Sequence, residues 1–324
     1  MASVTLAESA KLGLPELVAG VIESIVTVNA MFEILPFDGI DGNALKYNRE
    51  ALLGPVATTG VGDVTGVIGA NAPAGSNQAE RLLAKNAATF TEVTASLTTI
   101  MGDAEVNGLI QATRSSDGND QTGTQIGSKA KSAGRKYQDM LINGDGVNES
   151  FPGLLALCAA PQTVAATAAD GDALSFETMD EVADLVIDKD GDVDYFSMNR
   201  RTIRSFKALL RALGGAGINE VLELPSGKTV PVYNGVPIFR NDYIPVDQTQ
   251  GMTTTATTFF AGTFDEGGRQ HGIAGLTAEK ASGVGVEDVG THFEKDERVW
   301  RVKWYAGLAL FSELGLACAS GITD

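Results

Sequence analysis

Residues 118–144 read GNDQTGTQIGSKAKSAGRKYQDMLING, and they predict one unusually long helix. Apolar residues recur at spacings of three and four, which places them on one helix face. Asp120 and Gln121 provide a start, and Asn143-Gly144-Asp145-Gly146 a stop. About twenty-four residues predict a rod of roughly 36 Å. The apolar face comprises Ile126, Ala130, Ala133, Tyr137, Met140 and Leu141, and the other faces carry Lys129, Lys131, Arg135 and Lys136.

The segment before this helix predicts a protruding arm. Ala44–Arg49 and Thr89–Leu97 alternate as strands do, and Leu14–Ile25 has the apolar face of a short helix. Between the strands, Gly54–Asn77 is rich in Gly, Ala, Thr and Asn and has few large side chains. Such a stretch buries too little apolar area to fold alone, so another molecule must order it. Deletion of Gly54–Gly75 is expected to leave a soluble chain that can no longer associate stably with that molecule.

The remainder predicts a mixed α/β region. Near the end, Trp300, Val302, Trp304 and Ala306 alternate with polar residues, which indicates a half-buried strand. The other predicted elements are helices at Phe176–Val186 and Arg201–Leu213 and strands at Tyr195–Asn199, Pro231–Tyr233, Val236–Phe239 and Ala256–Gly262.

Composition excludes several classes of protein. The chain has 324 residues and a net charge of -17, which opposes binding to nucleic acid through phosphate neutralisation and docking on an anionic membrane. No apolar run approaches the roughly 20 residues of a membrane span, and the first residues lack the pattern of a signal peptide. Two cysteines are too few for a disulfide framework, and Cys158 is interpreted as a buried structural thiol.

One acidic run invites a metal-site interpretation. Asp188, Asp190 and Asp192 alternate as the first ligands of a calcium loop do. However, Val193 stands where such a loop needs glycine, and Asn199 stands where it needs a bidentate glutamate. An acidic, solvated loop is therefore the preferred interpretation, and these three aspartates remain weak metal candidates.

No catalytic or cofactor motif is apparent. His271 and His292 are far apart and have no recognisable nucleophile or carboxylate pair near them, so a turn is the preferred interpretation of the His271 segment. The densest basic cluster is assigned to more than one helix face, as a solvated or subunit-facing surface. It comprises Arg200, Arg201, Arg204, Lys207 and Arg211. The sequence thus predicts no enzyme, no cofactor and no metal.

The order of elements resembles the major capsid protein of tailed bacteriophages, which has the α+β coat fold called Hong Kong ninety-seven. The resemblance spans nearly the whole chain. The residues that carry it are Leu14–Val18, Gly42–Glu50, Asn77–Arg81, Phe90–Val93, Lys129–Gly144, Phe151–Leu154, Tyr195–Arg201 and Gly321–Thr323.

The resemblance implies the domains of that fold. They are an N-terminal arm at 1–40, an extended two-stranded loop at 41–100 that lies on a neighbouring subunit, a peripheral domain with the long spine helix at 101–150, an axial domain at 151–276, and a return to the peripheral domain with a C-terminal strand at 277–324. Candidate subunit-interface residues are Leu45, Tyr47, Arg49, Glu50, Arg81, Phe90, Arg135 and Arg201.

The resemblance also implies a structural function. Copies would self-assemble into pentamers and hexamers of an icosahedral shell around double-stranded DNA, in a virion made in the host bacterial cytoplasm. Implied partners are a portal and scaffolding or decoration proteins, with no membrane and no specific DNA binding. No residue matches the Lys–Asn cross-link of some members. We expect no built-in, cleaved scaffold, which leaves a separate scaffolding protein, or none, open.

Three alternatives remain open. An encapsulin-like nanocompartment shell and a gene-transfer-agent capsid share the fold. From another class, a cytosolic α/β enzyme or a calcium-dependent binding protein would use the Asp188–Asp194 loop. The negative charge also suggests an inner wall that lets packaged DNA slide, because acidic surfaces do not bind phosphate.

Overall fold

The computed structural model describes residues 30–52, 89–114, 121–147, 149–212, 221–224, 227–281 and 283–323. The expected helix at Leu14–Ile25, the stretch Gly54–Asn77 and Arg81 lie outside these ranges. The helices are α1 (Gly108–Arg114), α2 (Gln121–Asn143), α3 (Leu154–Leu157), α4 (Phe176–Leu185) and α5 (Arg200–Ala212). Single 3₁₀ turns occupy Ala30–Glu33, Ala160–Gln162, Asp188–Gly191, Glu279–Ala281 and Glu313–Gly315.

Fifteen strands are found in these residues. They are β1 (Phe37–Ile40), β2 (Ala44–Leu52), β3 (Thr89–Ser96), β4 (Thr98–Asn107), β5 (Thr163–Ala165), β6 (Tyr195–Met198), β7 (Val221–Glu223), β8 (Thr229–Tyr233), β9 (Val236–Arg240), β10 (Gln248–Gln250), β11 (Thr253–Gly262), β12 (Ile273–Ala278), β13 (Val284–Thr291), β14 (Glu297–Leu310) and β15 (Leu316–Ile322).

The long helix α2 lies against a five-stranded sheet. In this sheet β14 is the central strand, with β12, β13 and β4 as antiparallel neighbours, and β1 extends the sheet in parallel beside β12. The predicted apolar stripe of α2 is buried, whereas Lys129, Lys131, Arg135 and Lys136 are exposed. The prediction of this helix and of its polar face is confirmed.

Aromatic packing holds α2 to the sheet. Tyr137 is fully buried, and its ring centroid lies 4.5 Å from that of Trp304 and 5.4 Å from that of Phe151. Its hydroxyl donates a long hydrogen bond of 3.4 Å to the Gly307 carbonyl. A Cβ at Gly307 would come within 2.8 Å of the Ser96 carbonyl oxygen, so glycine is needed for this close approach. Burial raises the pKa of the Tyr137 phenol, which therefore stays protonated.

The second layer is an eight-stranded sheet in the order β5-β15-β11-β6-β9-β8-β7, with β10 paired to β11. Helices α4 and α5 cover one of its faces. Their buried side chains, such as Met179, Val182, Ile203 and Phe206, share a cluster with Phe259 and other sheet residues. Ser175 caps α4 by accepting the Thr178 N–H at 3.0 Å.

Strands β2 and β3 form a separate two-stranded sheet, as predicted. The chain divides into two compact units, of which residues 46–94 form the smaller. Lys46 Nζ and Glu92 Oε1 join β2 to β3 at 2.6 Å, with both side chains largely exposed.

Two strands connect the sheets across the predicted domain bounds, and the domain plan stays a prediction. Residues 316–322 form β15, which pairs with β11 and β5 in the eight-stranded sheet. Ile273–Ala278 forms β12 in the five-stranded sheet and spans the predicted boundary at residue 276. Both short segments are nearly uniformly buried, so neither shows the alternation that would have placed it. In the described ranges, no helix is both long and apolar enough for a membrane span.

Candidate subunit-contact surfaces

The two-stranded sheet presents several of the predicted interface residues. Tyr47 and Arg49 lie on β2, where the Arg49 guanidinium carbon is 5.7 Å from the centroid of the Tyr47 ring. Phe90 on β3 is 65% exposed, which is unusual for so large an apolar side chain. Leu45 and Glu50 are also on β2. The two-stranded sheet thus carries an exposed phenylalanine and an arginine that lies over a tyrosine ring.

The basic residues of α5 lie around one groove. Arg200, Arg204, Lys207 and Arg211 are exposed and line a groove of about 820 Å³ together with Arg201 and Arg240. These four recur every three or four residues and share one helix face, whereas Arg201 lies about 100° away, so the predicted cluster of five spans more than one face. Counting 100° per residue along the sequence would have found this stripe.

Arg201 lies off that stripe and is held within its own chain. Its backbone N–H donates to Asn199 Oδ1 at 2.6 Å, and its guanidinium Nη2 donates to the Thr255 carbonyl at 2.6 Å. The side chain therefore connects α5 to β11. Arg135, by contrast, is exposed on the polar face of α2.

The acidic loop is partly structural. Asp188 is 9% exposed and bonds His271 Nδ1 at 2.8 Å through one carboxylate oxygen, while the other accepts the Gly272 N–H at 2.9 Å. Asp190 and Asp192 are exposed. Within the described part of the chain, no three His, Cys, Asp or Glu side chains are grouped closely enough to hold a metal ion. The Asp188–His271 contact was missed because 83 residues separate the partners.

Two apolar side chains project fully into solvent. Phe293, in the β13–β14 turn, is 99% exposed, and Met252, before β11, is 90% exposed. Hydrophobic side chains exposed to this degree at strand turns suit insertion into a neighbouring molecule. Neither was singled out from the sequence, because apolar residues in turns carry no periodic signal.

The sulfur atoms of the two cysteines lie next to each other near the β5 edge of the eight-stranded sheet. Cys158 Sγ, just after α3, is 2.7 Å from Cys318 Sγ on β15, and Thr163 Oγ1 lies near both sulfurs. The hydrogen bond between the sulfurs raises the pKa of Cys158, aided by burial, and lowers that of Cys318. A separation of 160 residues concealed this pair in the sequence.

Ion pairs cross the exposed side of the five-stranded sheet. Arg301 on β14 binds both carboxylate oxygens of Asp103 on β4, at 2.7 and 2.8 Å. Lys303 and Glu287 form a second pair at 2.5 Å. The hydrogen bond from Arg301 lowers the pKa of Asp103, and the bond from Lys303 lowers that of Glu287. These pairs connect β14 to both of its long neighbours.

Comparison with protein-family models gives no match, and neither does comparison with curated proteins. Solved structures do match. The SrpI encapsulin complex from Synechococcus elongatus PCC 7942 gives a TM-score of 0.67 at 17% identity, over 90% of this chain and 87% of that chain. The capsid of a native gene-transfer-agent particle gives 0.56 at 14% identity, over 93% and 90%. Microbacterium phage Oxtober96 gives 0.56 at 14% identity, over 90% and 89%.

These structures define the class of fold. The chain has the Hong Kong ninety-seven coat fold, which the encapsulin and the gene-transfer-agent capsid share with it over most of their lengths. The fold expected from the order of elements is confirmed.

Proposed function

We propose that this chain is the structural subunit of a closed protein shell, in which identical copies form pentamers and hexamers of an icosahedral capsid around double-stranded DNA. The observation that carries the proposal is the coat fold, which extends over at least 90% of this chain in three solved neighbours. Two of them are named as an encapsulin complex and as the capsid of a particle. The subunit is not an enzyme and needs no cofactor.

Subunit contacts are proposed on the two-stranded sheet of β2 and β3 and on the long helix α2. The candidate residues are Leu45, Tyr47, Arg49, Glu50, Arg81, Phe90 and Arg135. The exposure of Phe90 and Arg135 supports this role, since a neighbour can cover them. Phe293 and Met252 are added on the same ground.

The proposed surroundings follow from the shell function. The capsid belongs to a virion made in the host bacterial cytoplasm, with a portal and scaffolding or decoration proteins as partners. Packaged DNA is enclosed without specific binding, which agrees with the net charge of -17. No membrane takes part.

A protein-filled nanocompartment is the second candidate. It is favoured by the TM-score of the encapsulin, 0.67, against 0.56 for the gene-transfer-agent capsid and for the phage chain. Such a shell would use the same subunit contacts and would enclose a cargo protein in place of a genome.

Electron microscopy of the purified chain tests the shell function. Closed particles or rings of five and six subunits support it, and a monomer at every concentration would refute it. Particles recovered from the native host then separate the two candidates. Double-stranded DNA protected from nuclease identifies a capsid, whereas a co-purifying enclosed protein without DNA identifies a nanocompartment.

A further inference from the structure

The basic groove on α5 carries a concentrated positive charge in an acidic chain. Arg200, Arg204, Lys207 and Arg211 stand at relative positions 0, 4, 7 and 11, which confines them to an arc of about 60°. All four are exposed, and none has an ion pair among the residues that the structure describes. The acidic residue of the groove, Asp242, is already bound by Arg240.

This stripe is unfavourable in an isolated subunit. Neighbouring cations on one helix face repel each other, and Arg200 stands in the first turn, where the helix dipole disfavours positive charge. An acidic partner would relieve both effects. The presence of this destabilising stripe is therefore best explained by an acidic surface that binds it in the assembled state.

Helix α4 presents the complementary stripe. Glu177, Asp180, Glu181 and Asp184 stand at relative positions 0, 3, 4 and 7, within an arc of about 100°. All four are exposed, and in the described part of the chain none forms an ion pair. Asp180 accepts the Tyr233 hydroxyl at 2.7 Å, a neutral hydrogen bond that leaves the negative charge in place.

The two stripes are carried by neighbouring helices on one sheet face. Helix α4 packs over β5, β15 and β11, and its Phe176 stacks on Tyr233 of β8, which Phe206 of α5 also contacts. The helices touch where the Phe176 and Phe206 rings meet, with centroids 6.2 Å apart. The sheet thus holds an acidic and a basic helix side by side in fixed order.

We propose that these stripes bind each other between copies, the basic face of α5 on one subunit against the acidic face of α4 on the next around a ring. This inference rests on the proposed shell function and identifies one of its contacts. Such a head-to-tail contact uses two different surfaces, so it repeats in the same sense and closes where the rotation allows. We take the binding partner of the basic stripe to be a second copy, because this chain itself carries the acidic stripe on α4. The net charge of -17 opposes binding to DNA.

Charge reversal tests the contact with the full-length chain. One variant carries Arg204→Glu and Lys207→Glu, and the other carries Glu181→Lys and Asp184→Lys. Each alone should raise the concentration needed for particles by about tenfold, because two attractive pairs become repulsive. A single chain that carries all four reversals should recover assembly, since every α5–α4 contact is then attractive again in rings of five as well as of six. Sedimentation velocity and electron microscopy measure the assembled fraction.

A control reverses an exposed charge elsewhere. The variant Lys280→Glu, whose side chain is 87% exposed and lies outside the proposed contacts, should assemble as the unmodified chain does. All variants should keep their unfolding midpoint, because the altered side chains are exposed.

The outcomes separate the two proposals. If the unmodified chain forms no particles, the shell function fails and the contact with it. If the unmodified chain and both reversals assemble alike, or the chain with all four reversals gives no recovery, the contact is refuted and the shell function stands. Salt-dependent binding of a double-stranded DNA oligonucleotide that is lost with Arg204→Glu and Lys207→Glu, without an assembly defect, would assign the groove to DNA and overturn the proposal.

Discussion

Replacing Tyr137 with alanine tests whether packing of the long helix on β14 holds the larger compact unit together. The ring is fully buried between Trp304 and Phe151, so its removal leaves a cavity in a region that cannot collapse without moving the helix. Truncation of a buried aromatic costs about 3–5 kcal/mol. That is a large part of the roughly 5–15 kcal/mol that stabilises a typical domain.

Tyrosine-to-phenylalanine exchange at the same position separates packing from hydrogen bonding. The hydroxyl donates only a 3.4 Å bond to the Gly307 carbonyl, so Tyr137→Phe should cost about 1 kcal/mol or less. Lys131→Ala, on the exposed face of the same helix, should change the stability by at most about 0.5 kcal/mol.

Urea unfolding of unassembled subunits, followed by tryptophan fluorescence, provides the measurement. The chain has two tryptophans, Trp300 and Trp304, and both report on β14. If Tyr137→Ala unfolds at the same urea concentration as Lys131→Ala, the argument that this cluster holds α2 to the sheet is refuted.

Three further results are expected. Phe293→Ser should leave the unfolding midpoint unchanged but weaken particle formation, as measured by light scattering. The reason is that the side chain is 99% exposed and can be buried only by a neighbouring copy. Unchanged assembly would show that this turn contacts no other copy. Arg301 lowers the pKa of Asp103, so this ion pair stabilises the fold above the ordinary aspartate pKa of about 3.9 and loses that effect as the pH falls further. Asp103→Asn should therefore lower the free energy of unfolding by up to about 1 kcal/mol at pH 7 and by little at pH 2. An equal loss at both pH values would contradict the direction of this pKa shift. Hydrogen peroxide should oxidise Cys158 and Cys318 to an intrachain disulfide with release of two molecules of water. Mass spectrometry should show the loss of two hydrogens, and Cys158→Ser should prevent it. If both thiols persist under peroxide in the folded chain, the contact between the two sulfurs is contradicted.

Elements with a strong local pattern could be predicted from the sequence. The helix α2 was found within three residues of its bounds, because its apolar residues repeat with the helical period and Gly144 ends it. The alternation around Val302 and Trp304 likewise placed β14, because one face of that strand is buried and the other carries charges.

The pairings that make the sheets could not be predicted in this way. The partners Asp103 and Arg301 are 198 residues apart, and no local pattern states that β4 and β14 are neighbours. Strand β12 is not predicted for a different reason. Nearly all of its residues are buried, so its run of small apolar residues shows neither the 3.6-residue period of a helix nor the two-residue period of a half-buried strand.

The candidate contact surfaces divide in the same way. The basic stripe of α5 was within reach of the sequence, since it depends only on helix geometry. Its relation to the acidic stripe of α4 depends on the sheet that carries both helices, and the sheet order came only with the structure.

The position of β14 has a consequence for synthesis in the cell. Strand β4 leaves the ribosome about 190 residues before β14 begins, and at ordinary elongation rates that interval is roughly 10 to 40 s. During this time β4 has unpaired backbone groups and the apolar side of α2 has no sheet to cover it. The sheet that the long helix needs is therefore completed only with β14, and the helix keeps an uncovered apolar side through this interval of translation.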